Sequence, residues 1–108
     1  MSAEMLKGHL DAVLLATIGN EALHGYAIIE AIRARSGGHF DLPEGTIYPA
    51  LHRLELAGLL ASRWVQPDGG RKRRVYTLTD SGRRSLVERR AGWQNFASGI
   101  DLVLGSRA

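Results

Sequence analysis

Four consecutive cationic side chains follow a pair of glycines in the second half of the chain. Gly69 and Gly70 form the pair, and the cations are Arg71, Lys72, Arg73 and Arg74. Long cationic side chains at a tight turn can straddle a phosphate backbone or enter a minor groove. A charge run in an arbitrary protein is more often a solvated face. The neighbouring elements therefore decide whether this run binds a polyanion.

Charge is unevenly distributed along a chain whose net charge is +3. Residues 1–60 hold four basic and seven acidic side chains, whereas residues 61–90 hold nine basic and three acidic ones, a local excess of +6. Such a field attracts polyanions, of which nucleic acid is the commonest and an anionic membrane surface the second candidate. Composition alone does not choose between the two.

A second set of polar side chains lies on a predicted helix that begins near Gly45. At about 100° per residue, this helix buries Ile47, Leu51 and Leu54 and turns another face outward. The residues on or beside the outward face include Thr46, Tyr48, Pro49, His52 and Arg53. Their hydroxyl, imidazole and guanidinium groups can bond with base edges or phosphates. We predict that this face reads DNA.

Two residues of this face have another interpretation. Tyr48 can pack beside the core, and Arg53 can pair with a carboxylate such as Glu44 or Glu30. An exposed ion pair of that kind contributes little to stability, so both readings of Arg53 stay open.

The elements that position these residues follow from hydrophobic periodicity. A period of about 3.6 predicts three helices before residue 58, the first over residues 6–18 and the second with Tyr26, Ile29 and Ile32 buried. Residues 60–65 and 73–78 have period 2 and predict two strands, joined by the turn residues 67–70. Gly58 is the expected stop of the third helix, and Thr79 is expected to cap a fourth that runs to about residue 104.

This order of elements is that of a winged helix-turn-helix, in which the third helix and the hairpin wing both face DNA. We predict a mainly α fold with a two-stranded β-wing, a DNA-binding domain over residues 1–78 and a C-terminal dimerisation helix over residues 79–108. A last helix of about 39 Å is too long for so small a core to cover, so we expect a homodimer. The predicted dimer and effector interface comprises Leu10, Leu14, Leu86, Trp93, Phe96, Ala97 and Ile100.

Other classes of protein receive little support. The chain has no Cys, which removes cysteine zinc clusters and thiol nucleophiles. Its four His residues form no metal-binding pair with an acidic helper, and no phosphate-cradling glycine loop precedes a helix. We therefore predict no enzyme, no cofactor and no metal. No apolar stretch approaches the length of a membrane helix and no secretory signal is evident, so we expect a cytoplasmic protein.

Short motifs along nearly the whole chain match one known family. They read Leu6-Lys7-Gly8 with Leu10-Asp11, His24-Gly25-Tyr26, Gly45-Thr46-Ile47-Tyr48-Pro49, Arg53-Leu54-Glu55 and Gly58-Leu59-Leu60. On these motifs the chain resembles PadR-type transcriptional regulators, specifically the short subgroup with a single C-terminal dimerisation helix. Residues 70–76 and 78–82 are similar to the family's second wing strand and to the start of its last helix.

The resemblance implies a dimeric repressor that binds an inverted repeat in double-stranded DNA and is released by a small, often aromatic effector. Family members use the tyrosine matched by Tyr48, its neighbours and the basic wing on DNA. Trp93 matches a tryptophan that stacks flat ligands between subunits in some members. An acidic residue one turn later is replaced here by Ala97, which argues against cationic drugs, and packing in a dimer core is the other interpretation of Trp93.

Two further alternatives stay open. The fold also suits a module that binds another protein or single-stranded nucleic acid, and preference for duplex DNA separates these functions. Gly92 and Gly99, which lie seven residues apart in the last helix, either let two helices approach closely or mark a break that shortens it.

Overall fold

The computed structural model describes Leu6 and residues 8–105. Lys7 of the first motif, residues 1–5 of the predicted DNA-binding domain and residues 106–108 of the predicted C-terminal helix lie outside the described residues. The elements are α1 (Leu10–Ile18), β1 (Leu23–His24), α2 (Gly25–Arg35), α3 (Glu44–Leu56), β2 (Leu60–Val65), a 3-10 turn (Pro67–Gly69), β3 (Arg73–Leu78) and α4 (Asp80–Leu104). The winged helix-turn-helix with a long C-terminal helix is confirmed.

The core lies where the first three helices meet beneath the sheet. The largest fully buried side chains are Leu14, Leu15, Ile18, Ile28, Ile47, Leu51 and Leu54. Burying each such side chain contributes about 1.5–3 kcal/mol, which orients the helices around this centre. The apolar stripe predicted for α3 is confirmed by its buried residues Ile47, Ala50, Leu51 and Leu54.

The buried face predicted for α2 is partly wrong. Its buried residues are Gly25, Ile28, Ile29 and Ile32, whereas Tyr26 is 58% exposed. At about 100° per residue, Tyr26 lies roughly 110° from the centre of that buried face. Its ring therefore faces solvent.

The sheet has three antiparallel strands in the order β1-β3-β2. The predicted hairpin is confirmed, with Leu60 opposite Leu78 and Val65 opposite Arg73. The sequence did not predict β1, which pairs His24 with Val75 on the other side of β3. A strand of two residues is too short to show a period of 2, so the wing sits on a wider sheet than expected.

Backbone contacts at the end of α3 fix where the hairpin and α4 begin. Gly58 adopts a φ of 81°, and the N–H of Leu59 donates to the carbonyl of Leu54 at 3.0 Å, which is a glycine helix stop. The Thr79 hydroxyl accepts from the N–H of Gly82 at 3.0 Å and donates to the carbonyl of Gly58 at 2.7 Å. The predicted stop and cap are confirmed, and they bond to each other.

The last helix is continuous. Asp80–Leu104 runs through Gly92 and Gly99, so the alternative of a break at these glycines is wrong. Its 25 residues span about 37 Å. Among the described residues of α4, only Gly82 is buried. None of the helices that the structure describes is long and apolar enough to span a membrane.

Candidate nucleic-acid interface

The outer face of α3 presents the residues predicted to read DNA. Tyr48, Pro49, His52 and Arg53 are exposed and Thr46 is partly exposed. A Cβ atom added at Gly45 would meet nothing within 4 Å, so this side of the helix is open. We call the surface formed by residues 45, 46, 48, 49, 52 and 53 the reading face. A face with small residues at positions 45 and 49 can approach a groove closely.

The ring of Tyr48 packs against the start of α2. A Cβ atom on Gly25 would lie 2.3 Å from Cε1 of Tyr48, which shows how close the ring lies to that backbone. Tyr48 is nevertheless 39% exposed. Tyr48 therefore combines both interpretations. Part of its ring packs against the backbone of Gly25, and the rest is exposed.

Arg53 is held by a carboxylate of another helix. Its Nη1 and Nη2 donate to the two carboxylate oxygens of Asp11 at 3.0 and 2.9 Å. Hydrogen bonding with Asp11 and the attraction of its charge raise the pKa of Arg53. An ion-pair partner was expected as one alternative, but Glu44 and Glu30 were the wrong residues. The two bonds to Asp11 use two of the five guanidinium N–H donors, which leaves three for other acceptors.

The wing tip carries three exposed cations. Asp68 and Gly69 adopt left-handed backbone conformations, with φ of 54° and 70°, and turn the chain between β2 and β3. Arg71, Lys72 and Arg73 follow this turn and are all exposed. Among the residues that the structure describes, none of these three lies in an ion pair. Their charge is available to an external polyanion.

The fourth cation of the run has partners within the protein. Arg74 Nη2 lies 3.6 Å from Oε2 of Glu55, and its guanidinium lies 5.2 Å from the centroid of the Trp64 ring. Ser62 Oγ donates to the same Glu55 oxygen at 2.6 Å. The Arg74 side chain thus connects the wing to the last turns of α3, unlike the three cations before it.

Two titratable groups lie where the wing meets the helices. Burial and the nearby positive charge of Arg73 lower the pKa of His24, which favours its neutral form. Burial raises the pKa of Tyr76, whose neighbours include Arg74, Glu55 and Tyr48. Side chains of β1, β3 and α3 therefore interact electrostatically in this region.

Three further residues, which are exposed or ion-paired, were not among the candidates predicted from the sequence. Asp11 was seen only as part of a family motif, although it holds a reading-face arginine. Tyr26 was assigned to the core and Trp64 only to a strand, yet they are 58% and 61% exposed. Exposed aromatic side chains beside cationic ones are the sequence signal that could have marked Trp64.

A groove lies between α1 and α4. It has a volume of about 670 Å³, and its lining includes His9, Val13, Phe40, Leu86, Arg89, Arg90, Trp93 and Phe96. Of the residues predicted for the dimer and effector interface, Leu86, Trp93 and Phe96 line the groove. Ile100 is 40% exposed farther along α4, and Ala97 is partly exposed. Leu14 is fully buried in the core and Leu10 packs against that core, and neither is among the residues that line the groove.

Three aromatic rings meet at the mouth of this groove. The His9 ring lies edge-on to Trp93, with centroids 5.1 Å apart and an interplanar angle of 77°. Phe96 lies 5.9 Å from Trp93 and 6.0 Å from His9. These distances are typical of packed aromatic side chains. His9 was not predicted to belong to this site. Within the described part of the chain, no group of three or more His, Cys, Asp or Glu residues could hold a metal ion.

Comparisons with known proteins agree with the fold and identify the family. The model of the transcriptional regulator PadR-like family matches residues 14–88. A transcriptional regulator of Mycobacterium tuberculosis is 38% identical over 84 residues, which is 78% of this chain and 75% of that protein. The crystal structure of a PadR family transcriptional regulator from Eggerthella lenta is 33% identical, with a TM-score of 0.80 over 96% of this chain and 88% of that one.

One similar structure contains DNA. The crystal structure of Bacillus subtilis PadR in complex with operator DNA has a TM-score of 0.67 and is 28% identical to this chain. The similarity covers 74% of this chain and 45% of the Bacillus subtilis chain. The likeness therefore concerns part of that longer protein.

Proposed function

This chain belongs to the PadR-like family of transcriptional regulators, and on that premise we propose that it is a homodimeric repressor that binds an inverted repeat in double-stranded DNA. The family and its named relatives are transcriptional regulators and not enzymes. In this proposal the protein acts in the cytoplasm and needs no cofactor or metal. A small aromatic effector releases it from DNA.

The observation that carries the DNA-binding proposal is the pairing of two surfaces of different chemistry. The reading face offers an open helix side with hydroxyl, imidazole and guanidinium groups, which suits base edges. The wing tip offers Arg71, Lys72 and Arg73 without ion-pair partners among the described residues, which suits phosphates. In our proposal α3 enters the major groove while the wing contacts the backbone or the minor groove beside it.

The unpartnered apolar face of α4 supports the homodimer. The exposed apolar side chains on this face include Trp93, Phe96, Ile100, Val103 and Leu104. Monomeric soluble proteins rarely expose so many apolar side chains on one element. A second copy of the same helix, related by a twofold axis, can cover this face and give two reading faces with twofold symmetry. Such symmetry matches an inverted repeat.

The effector proposal rests on the groove between α1 and α4. Trp93 and its aromatic neighbours offer flat apolar surfaces to a planar ligand. Arg89 and Arg90 line the same groove, and none of the described residues in its lining is acidic. A cationic ligand is disfavoured there, in agreement with the presence of Ala97 one turn after Trp93. Burial of Trp93 by the second copy of α4 is the competing role for this side chain.

A titration with labelled DNA tests the proposed function. The duplex contains the region upstream of the protein's own gene, and the matching single strand is the comparison. We expect the duplex to bind more tightly, with an affinity that falls steeply as the salt concentration rises. Equal or tighter binding of the single strand would support the alternative module instead.

A further inference from the structure

One carboxylate on α1 lies between the reading face and the groove. On one side Asp11 accepts two hydrogen bonds from Arg53, at 3.0 and 2.9 Å. On the other side Nη1 of Arg89 lies 3.9 Å from Asp11 Oδ2. The Asp11 side chain is only 21% exposed. Cations of α3 and α4 therefore meet at a single, largely buried acid.

Arg89 belongs to the groove as well as to this cluster. It lines the groove together with Trp93, and its Nε donates to Ser85 Oγ at 2.8 Å. A molecule that fills the groove beside Trp93 is therefore placed next to the guanidinium that faces Asp11. The path from groove to reading face runs through three side chains, namely Arg89, Asp11 and Arg53.

From this arrangement we infer that Asp11 is a positioning residue, which orients Arg53 for DNA and makes that orientation sensitive to Arg89. The inference rests on the proposed function, because it concerns the same reading face. Asp11 fixes the guanidinium of Arg53 before DNA arrives, so less rotational freedom is lost on binding. The three remaining N–H donors of Arg53 can then bond with a phosphate or a base.

The direction in which Asp11→Asn changes DNA affinity separates a positioning role from a simple effect of charge. Asp11→Asn removes a negative charge from a DNA-binding protein, and electrostatics alone then predicts tighter binding to every DNA sequence. Positioning predicts the opposite for a duplex that Arg53 reads, because the amide offers one acceptor oxygen where the carboxylate offers two. A merely structural role of Asp11 would not lower the preference for the duplex that Arg53 reads while leaving the affinity for other duplexes unchanged.

The experiment compares two duplexes in a binding titration. The first is selected from a randomised pool by the wild-type protein, and the second has the same base composition in scrambled order. For Asp11→Asn we expect about a fivefold loss of affinity for the selected duplex, with unchanged or tighter binding to the scrambled one. In an Arg53→Ala background the same substitution should cause no further loss of preference for the selected duplex. An unchanged preference in Asp11→Asn would overturn the positioning role.

Arg53→Lys covers the case in which Asp11→Asn fails to fold. Lysine keeps the positive charge but lacks the planar fork that bonds with both carboxylate oxygens. We expect it to reproduce the loss of preference with little change in binding to the scrambled duplex. A variant with normal preference would overturn the inference.

The connection to the groove is tested by two neighbouring arginines of equal charge. Arg89 and Arg90 both line the groove, but of these two only Arg89 forms an ion pair with Asp11 among the described residues. We expect Arg89→Gln to lower the preference for the selected duplex about twofold, and to have no such effect in an Asp11→Asn background. Arg90→Gln is the matched control and should leave the preference unchanged. Equal effects of the two substitutions would overturn the connection.

Failure of this inference differs from failure of the proposed function. A wild-type protein that selects no duplex would remove both. A wild-type protein that prefers its selected duplex, with an equally selective Asp11→Asn variant, would remove the role of Asp11 alone.

Discussion

The ring of Tyr48 rests on the backbone of Gly25. A Cβ atom added at Gly25 would lie 2.3 Å from Cε1 of the ring and 2.7 Å from its hydroxyl oxygen. Both distances are shorter than any ordinary non-bonded contact, so no larger residue fits at position 25 while the ring stays in place. The first residue of α2 therefore sets the position of an aromatic side chain on the reading face.

Replacement of this glycine should act through the tyrosine. We expect Gly25→Ala to displace the Tyr48 ring, to weaken duplex binding and to lower the free energy of unfolding by about 1–3 kcal/mol. In a Tyr48→Ala background the same substitution should cost much less, since the clash is gone. Chemical unfolding and duplex titration of the single and double variants measure both effects.

Gly45→Ala is the matched control for the unfolding measurement. This glycine also lies in the first turn of a helix, but a Cβ atom there would meet nothing within 4 Å. We expect no loss of stability. Equal destabilisation by the two alanines, or an undiminished effect of Gly25→Ala without the Tyr48 ring, would contradict the contact described above.

The three exposed cations of the wing tip should determine the salt dependence of DNA binding. We expect joint replacement of Arg71, Lys72 and Arg73 by Ala to weaken binding to selected and scrambled duplexes alike. If each contacts one phosphate, the slope of log affinity against log salt should become shallower by about 2.7. Titrations at several salt concentrations give this slope.

Arg74→Ala serves as the comparison for the wing. Its side chain pairs with Glu55 and lies over Trp64. We therefore expect its loss to lower the free energy of unfolding and to leave the salt slope close to that of the wild-type protein. A triple variant with the wild-type slope would show that the wing tip does not contact phosphates.

The exposed face of α4 should hold two chains together. We expect Ile100→Glu to place a charge on the apolar stripe and to shift the protein from dimer to monomer, because an unpaired charge in an interface is costly. Sedimentation velocity measures the mass. Asn95→Glu, which adds the same charge on the opposite side of the helix, should leave the dimer intact, and a dimer unaffected by Ile100→Glu would argue against this interface.

Trp93 should report on effector binding in the groove. The chain has two Trp residues, so the measurement is made in a Trp64→Phe background. We expect planar aromatic compounds that quench Trp93 fluorescence to release the duplex over the same concentration range. A Trp93→Ala dimer that is released normally by the same compound would assign the effector to another site and leave Trp93 to dimer packing.

Local patterns were sufficient to predict α3, the hairpin and α4. The period of α3, the glycine stop at Gly58 and the hydroxyl cap at Thr79 all act within a few residues, so the sequence displays them directly. Periodicity was less reliable for α2, where Tyr26 was predicted to be buried. On a short helix, one additional apolar residue is enough to shift the apparent centre of the buried face.

Contacts between distant segments could not be predicted in the same way. Asp11 and Arg53 are 42 residues apart, and nothing in the spacing of either residue shows which acid the arginine meets. The strand β1 exists through its pairing with β3, and the role of Gly25 follows from a ring on another helix. The reading face and the wing were predicted as surfaces, but the partners of Arg53 and Arg74 required the tertiary structure.

Hydroxyl-radical footprinting of the selected duplex tests the central claim most directly. The account predicts two protected segments of equal length, related by a twofold axis, with centres about one helical turn or 34 Å apart. The wing variant should lose this protection at moderate salt while the protein stays folded and dimeric. Protection of a single segment without symmetry, or no protection by a folded protein even at low salt, would contradict a dimer that reads duplex DNA with α3 and the wing.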